Sequence, residues 1–201
     1  YIDIEPGALV EGEYSMATGA GPNHKPPGTV VRYSFEVRDV AGRVLRTDDQ
    51  EFLYLDSRLE WQKIEKGLLT VYYYGDFVAN RAETVMETAE ITMEGMGKLL
   101  GIAPEERINI VAYSNYVDMA RALPFRSQAV REDLQTEGMA FVNQRVFVVL
   151  ISEENFTGVV SHEFSHILIG EAAGRGYGAV PAWLNEGLAE FGNVDQSLSY
   201  H

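Results

Sequence analysis

Cysteine is absent from the 201 residues, which excludes disulfide cross-links, thiolate metal sites and cysteine nucleophiles. A metal held by this chain must use His, Asp or Glu, and histidines number only four. Positive charge is scarce too: 16 Lys and Arg stand against 30 Asp and Glu, a formal net charge of −14. So acidic a surface repels phosphate backbones, which argues against nucleic acid as a partner and suits a solvated monomer. No apolar run approaches the roughly 20 residues that span a bilayer. There is no internal repeat and no low-complexity tract. The chain opens on Tyr1 without a signal-peptide pattern, which leaves room for a leader removed by processing.

What is present is a globular composition, 46% hydrophobic and 23% charged. The first third reads as β. Val31, Tyr33, Phe35 and Val37 alternate with Arg32, Ser34, Glu36 and Arg38, the period of a half-buried strand. Asp39 to Arg43, with Gly42, turns the chain into a second strand near Val44. Phe52, Tyr54 and the stretch Ala8 to Tyr14 suggest further strands, and Ser15 to Gly28, rich in glycine and proline, reads as a long loop in which His24 faces solvent. Tyr54, Trp61, Tyr72, Tyr73 and Tyr74 fit core and interface packing better than a carbohydrate platform. Residues 1–66 are thus expected to form a small antiparallel β module.

Beyond residue 66 the period changes. Leu68 to Tyr74 is a continuous apolar and aromatic run, suited to a strand buried on both faces. From Asp76, an apt N-cap, to Leu100, apolar residues recur at helical spacing, and Gly101 stops the helix. Its methionines, Met86 to Met96, read as core filler. Ile108 to Tyr113 reads as a strand and Val117 to Ala122 as a short helix. Met139 to Val142 and Val146 to Ile151 read as strands around a turn at Asn143 and Gln144. A helix is expected from Asn155 to Ile169, a glycine-rich connector from Gly170 to Gly178, and a last helix opened by Pro181 and ending near Gly192. Strands alternating with helices predict an α/β or α+β domain over 67–201.

Chemistry concentrates in the last fifty residues. Ser161-His162-Glu163-Phe164-Ser165-His166 contains H-E-x-x-H, and on a helix positions i and i+4 aim both imidazoles at one ion. Glu163 sits beside them, displaced toward the open side, where it can take a proton from a water without being a ligand. Alone, such a short motif also fits two ordinary histidines. Further on, with nineteen residues between His166 and Glu186, Trp183-Leu184-Asn185-Glu186-Gly187-Leu188-Ala189-Glu190-Phe191 places two carboxylates four apart beside the apolar stripe of Leu184, Leu188 and Phe191. Buried unpaired charge is costly, so these acids need a reason. Glu186 as third ligand leaves one position open for water. Glu190 reads either as acceptor from the outer nitrogen of a ligand histidine or as a solvated helix carboxylate.

HEFSH followed by WLNEGLAEF resembles the gluzincin metallopeptidases, most closely the bacterial M1-like or peptidase MA-like group, over about Phe156 to Phe191 and back to Gly67 more loosely. The resemblance implies an α+β zincin-like catalytic domain, a mixed sheet with active-site helices, preceded by the β module. It implies Zn2+ held by His162, His166 and Glu186, Glu163 as general base, and Glu190 behind a ligand histidine. A peptide or protein substrate would lie on an edge strand. The aminopeptidases of the group carry G-x-M-E-N, whose Glu holds the substrate's amino group. Gly138-Met139-Ala140-Phe141 stands in a similar place without that carboxylate, which favours an endopeptidase, with Gly138, Met139 and Ala140 lining the cleft. Oxyanion candidates are Tyr177 and Tyr200, with His201 a third. The group is commonly exported, so the expected location is extracytoplasmic. The rival reading is a zincin-fold binding or scaffold protein with a structural or vestigial metal site, and the intact Glu163 argues against it.

Overall fold

The computed structural model describes residues 4, 7, 9–16, 18, 24–75, 78–124 and 136–195. Nine strands and four helices lie within them, an α+β chain with a mixed five-stranded sheet and two small antiparallel ribbons. The first ribbon pairs β1 (Thr29–Tyr33) with β4 (Gln50–Tyr54), and the second, between them in sequence, pairs β2 (Glu36–Arg38) with β3 (Val44–Arg46). The alternation read from sequence is real: Arg32 faces Glu51 on one side, Val31 faces Phe52 on the other. Half-burial is not. Phe35 is 55% exposed, Leu45 68% and Phe52 49%, because no second sheet packs on the apolar face among the described residues.

The large sheet runs β5-β6-β7-β9-β8, from β5 (Gln62–Lys66), β6 (Leu69–Tyr73), β7 (Ile108–Tyr113), β8 (Gly138–Phe141) and β9 (Val146–Leu150). β6, β7 and β9 are parallel, and the two edges, β5 and β8, run antiparallel to their neighbours. β5, which falls at the end of the segment 1–66 expected to form a separate β module, is an edge of the large sheet. All six residues of β7 and all five of β9 are buried, as continuous apolar strands covered on both faces must be.

Helix α1 (Ala79–Leu100) and helix α3 (Phe156–Ala173) cover one face. α1 buries Ala82, Val85, Met86, Ala89 and Met96, the predicted stripe, and ends where Gly101 takes φ 68°, a left-handed stop that glycine adopts without strain. Asp76, the predicted N-cap, lies outside the described residues. The other face packs Tyr113, Met119, Val146 and Val148 under helix α2 (Tyr116–Ala122), with Leu55, Trp61, Tyr72 and Tyr74 around them. Trp61, Tyr74 and Tyr113 meet edge to face, so the aromatic cluster is packing, as read from sequence. His24 is a correction: it is half-buried with its ring 5.4 Å from that of Phe141, held there by the proline-rich turn that follows it.

Helix α3 runs four residues past its predicted end because Gly170 is not a stop. A Cβ there would fall 2.1 Å from Val142 Cγ1, so the missing side chain lets helix and strand end touch. The chain then makes a 3-10 segment, Gly174–Ala179, and enters helix α4 (Ala182–Phe191) immediately after Pro181. None of the described helices is long and apolar enough to cross a membrane.

Candidate metal centre

Helix α3 is apolar nearly all round, and it is seated on the sheet through Phe164, which stacks on Phe147 at 5.6 Å. That seating fixes which residues face the rim. His162 and His166, one turn apart, present their rings edge to face with centroids 4.9 Å apart and Nε2 atoms 3.3 Å apart. Helix α4 crosses beside them and brings Glu186 Oε2 to 3.4 Å from His162 Nε2 and 3.6 Å from His166 Nε2. These three residues form the one cluster of metal-ligating side chains found among the described residues.

The triangle has a definite size. Ligand atoms tetrahedrally placed around an ion at about 2.0–2.1 Å lie about 3.3–3.4 Å apart; two of the measured edges, 3.3 and 3.4 Å, match, and the third, 3.6 Å, is slightly longer. Two nitrogens and one carboxylate oxygen are also the donor types for a borderline cation. Burial lowers the pKa of His166, against the opposing effect of a hydrogen bond to the Asn185 side chain, and so favours the neutral imidazole that a metal requires. Behind the pair, His162 Nδ1 lies 3.5 Å from Glu190 Oε2, so Glu190 faces the outer nitrogen and is not a detached surface acid.

Glu163 points to the other side of the pocket, against β8. A Cβ on Gly138 would stand 2.7 Å from Glu163 Cγ and 2.6 Å from Val159 Cγ1, so only glycine permits this approach of strand to helix. Burial pushes the Glu163 carboxyl up to about 7; a backbone hydrogen bond from Ala140 opposes the rise, and the Glu186 charge adds to it.

A pocket of about 320 Å³ collects Gly138, Met139 and Ala140 from β8 with the two histidines, Glu163 and Glu186. Thr136, Tyr177 and Asn185 complete its wall, and the Asn185 amide donates to the Tyr177 hydroxyl at 3.3 Å. Tyr200 and His201 lie outside the described residues. Asn185 and Thr136 had no assigned role in the sequence reading. Nor did the clasp beyond the end of α4, where the Val194 amide donates to Ser161 Oγ at 3.0 Å and Asn193 Oδ1 lies 3.4 Å from the same oxygen. A serine just before His162 carries no motif; its hydroxyl bonds back to Thr157 O and Gly158 O in its own helix, and the crossing of the helices adds the partners from beyond α4.

The described site thus offers a metal-sized triangle, an adjacent carboxyl raised by burial, and a strand edge along the same pocket. Comparison with curated proteins gives no match. The sequence profile of the Peptidase MA superfamily matches residues 88–199, more than half of the chain and all of the elements that build the centre. The chain belongs to the Peptidase MA superfamily, whose members are typically metal-dependent peptidases.

Proposed function

We propose that the protein is a zinc-dependent endopeptidase in which His162, His166 and Glu186 hold the ion and Glu163 is the general base. The observation that carries this reading is the triangle of ligand atoms, with edges of 3.3, 3.4 and 3.6 Å, beside a carboxyl that does not join it. Zinc, when bound, acts as a Lewis acid and brings the pKa of a water it holds from 15.7 to about 7. The remaining chemistry belongs to the chain. Glu163 takes one proton from the attacking water as its oxygen adds to the peptide carbonyl carbon. The same carboxyl delivers that proton to the nitrogen as the C–N bond breaks, leaving a carboxylic acid and an amine. A carboxyl near 7 is suited to both halves of this exchange.

Glu190 fixes the ring of His162 through Nδ1. Tyr177, its hydroxyl held by Asn185, is the group proposed to face the oxyanion. The outer edge of β8 takes an extended peptide by main-chain hydrogen bonds. The endopeptidase reading rests on what lines the pocket: among the described residues its charged groups are confined to the metal triad and Glu163, with no further acid for a free amine and no Lys or Arg for a free carboxylate.

Zinc-loaded protein is expected to cleave casein and peptides blocked at both ends. Glu163→Gln should lose about 10²- to 10⁴-fold in kcat while keeping its metal. Cleavage confined to peptides with a free amino terminus would contradict the endopeptidase assignment, and full activity in Glu163→Gln would contradict the role of the base.

A further inference from the structure

The register of β8 determines which of its backbone groups face outward. Antiparallel pairs alternate between hydrogen-bonded and non-hydrogen-bonded. The Leu150 amide donates to Glu137 O at 2.7 Å, which sets Glu137 and Leu150 as a bonded pair. Gly138 and Val149 are then non-bonded, Met139 and Val148 bonded, and Ala140 and Phe147 non-bonded. The N–H and C=O of Gly138 and of Ala140 therefore point away from β9, toward the edge of the sheet. An extended peptide laid on that edge must use these groups.

One of them already has a candidate acceptor beside it. The outward Ala140 N–H and Glu163 line the same pocket, and the Glu163 chain is drawn against the strand where Gly138 has no side chain. On the zinc-peptidase reading above, on which this step rests, the base and the substrate backbone want the same donor. We infer that Glu163 caps the Ala140 amide in the substrate-free protein, and that an extended peptide displaces it, releasing the carboxylate to act as base only when the edge is filled. Gly138 and Ala140 are positioning residues in this scheme: the first permits the approach, the second supplies the contested donor. A solitary water entering the pocket does not supply a backbone carbonyl in that register, so the base stays tethered until a chain arrives.

The test is a binding measurement on proteins that cannot turn over. Zinc-loaded Glu163→Ala and Glu163→Gln are titrated calorimetrically with an N-acetylated, C-amidated hexapeptide of alternating alanine and leucine. Gln keeps an oxygen that caps the amide and Ala does not, so Glu163→Ala should bind about three- to tenfold more tightly, the worth of one hydrogen bond that need not be broken. Hydrogen exchange at the Ala140 amide should be slow in wild type, faster in Glu163→Ala, and slow again when the peptide is added. Ala140→Pro removes the donor without removing a ladder bond, and in that background the difference between the two Glu163 variants should vanish. Equal affinities, or an Ala140 amide that exchanges alike in wild type and Glu163→Ala, would overturn the competition alone. Absence of peptide binding in every zinc-loaded variant would overturn it together with the edge-strand function beneath it.

Discussion

The two helices that meet at the centre are built in opposite ways. In α3, twelve of eighteen residues are buried, so the core sets its rotation and depth, and with them the side to which His162, Glu163 and His166 project. In α4, only Ala189 of ten residues is buried; Trp183 is 75% exposed, Phe191 69%, and the Glu186 side chain 62%. Two of the proposed ligands and the proposed base thus stand on a well-buried helix, and the third proposed ligand arrives on a helix held by few contacts. Those contacts can be named: Leu188 and Ala189 against the core, Gly192 so close to α3 that a Cβ would meet Ser165 Oγ at 2.2 Å, and the Ser161–Asn193 clasp. The difference teaches where metal affinity is decided. On the proposed site, it is set less by the H-E-x-x-H helix, seated in the core, than by whatever keeps α4 in place.

Breaking α3 should be global. Phe164→Ala removes a fully buried ring stacked on Phe147 and should cost about 3–5 kcal/mol in denaturant unfolding. Trp183→Ala, on the helix that carries Glu186, should change stability by no more than about 0.5 kcal/mol. Similar losses in both would remove the contrast between the helices.

Loosening the hold on α4 should act mainly through the metal. Asn193→Ala deletes a buried acceptor and is expected to cost about 1–3 kcal/mol without metal. It should also weaken zinc binding by tenfold or more against a competing chelator, as losses of groups supporting a ligand do. Unchanged zinc affinity would mean that α4 is held by its other contacts.

The smallest effect is a pH slope. Glu163 carries a folded-state pKa of about 7 against an ordinary 4.5. Between those values the folded protein binds more protons at this site than the unfolded chain does. Its contribution to stability is therefore complete below about 4.5 and is lost as pH rises through 7. In metal-free protein, the Tm of wild type relative to Glu163→Gln should fall over that window. A flat difference would place the carboxyl in a more solvated setting.

How much of this was legible in the sequence follows from how local each signal is. The helical stripe of α1, the apolar runs of β7 and β9 and the i, i+4 histidines are properties of short segments, and each took its predicted form. The pairing of Glu186 with the histidines was readable because a connector between two motif halves can only fold them back. The signals that failed are those that depend on a neighbour far along the chain. Gly170 read as a stop because nothing local announces Val142 across the gap. His24 read as solvent because Phe141 lies well over a hundred residues away. The alternation of Val31 to Val37 gave the faces of the ribbon correctly, but a period says which side is apolar and not whether another sheet covers it. Gly138 was noticed for a missing carboxylate in a motif, while its role, letting strand and base touch, lies in the packing of β8 on α3.

The central claim is the three-residue centre spanning both helices, and zinc stoichiometry tests it most directly. Elemental analysis of wild type, Glu163→Gln and Glu186→Gln, after zinc loading and exhaustive dialysis, should give one zinc per chain in the first two and loss of tightly held zinc in the third. Equal retention in Glu186→Gln, or no tightly held zinc in wild type, would contradict the account.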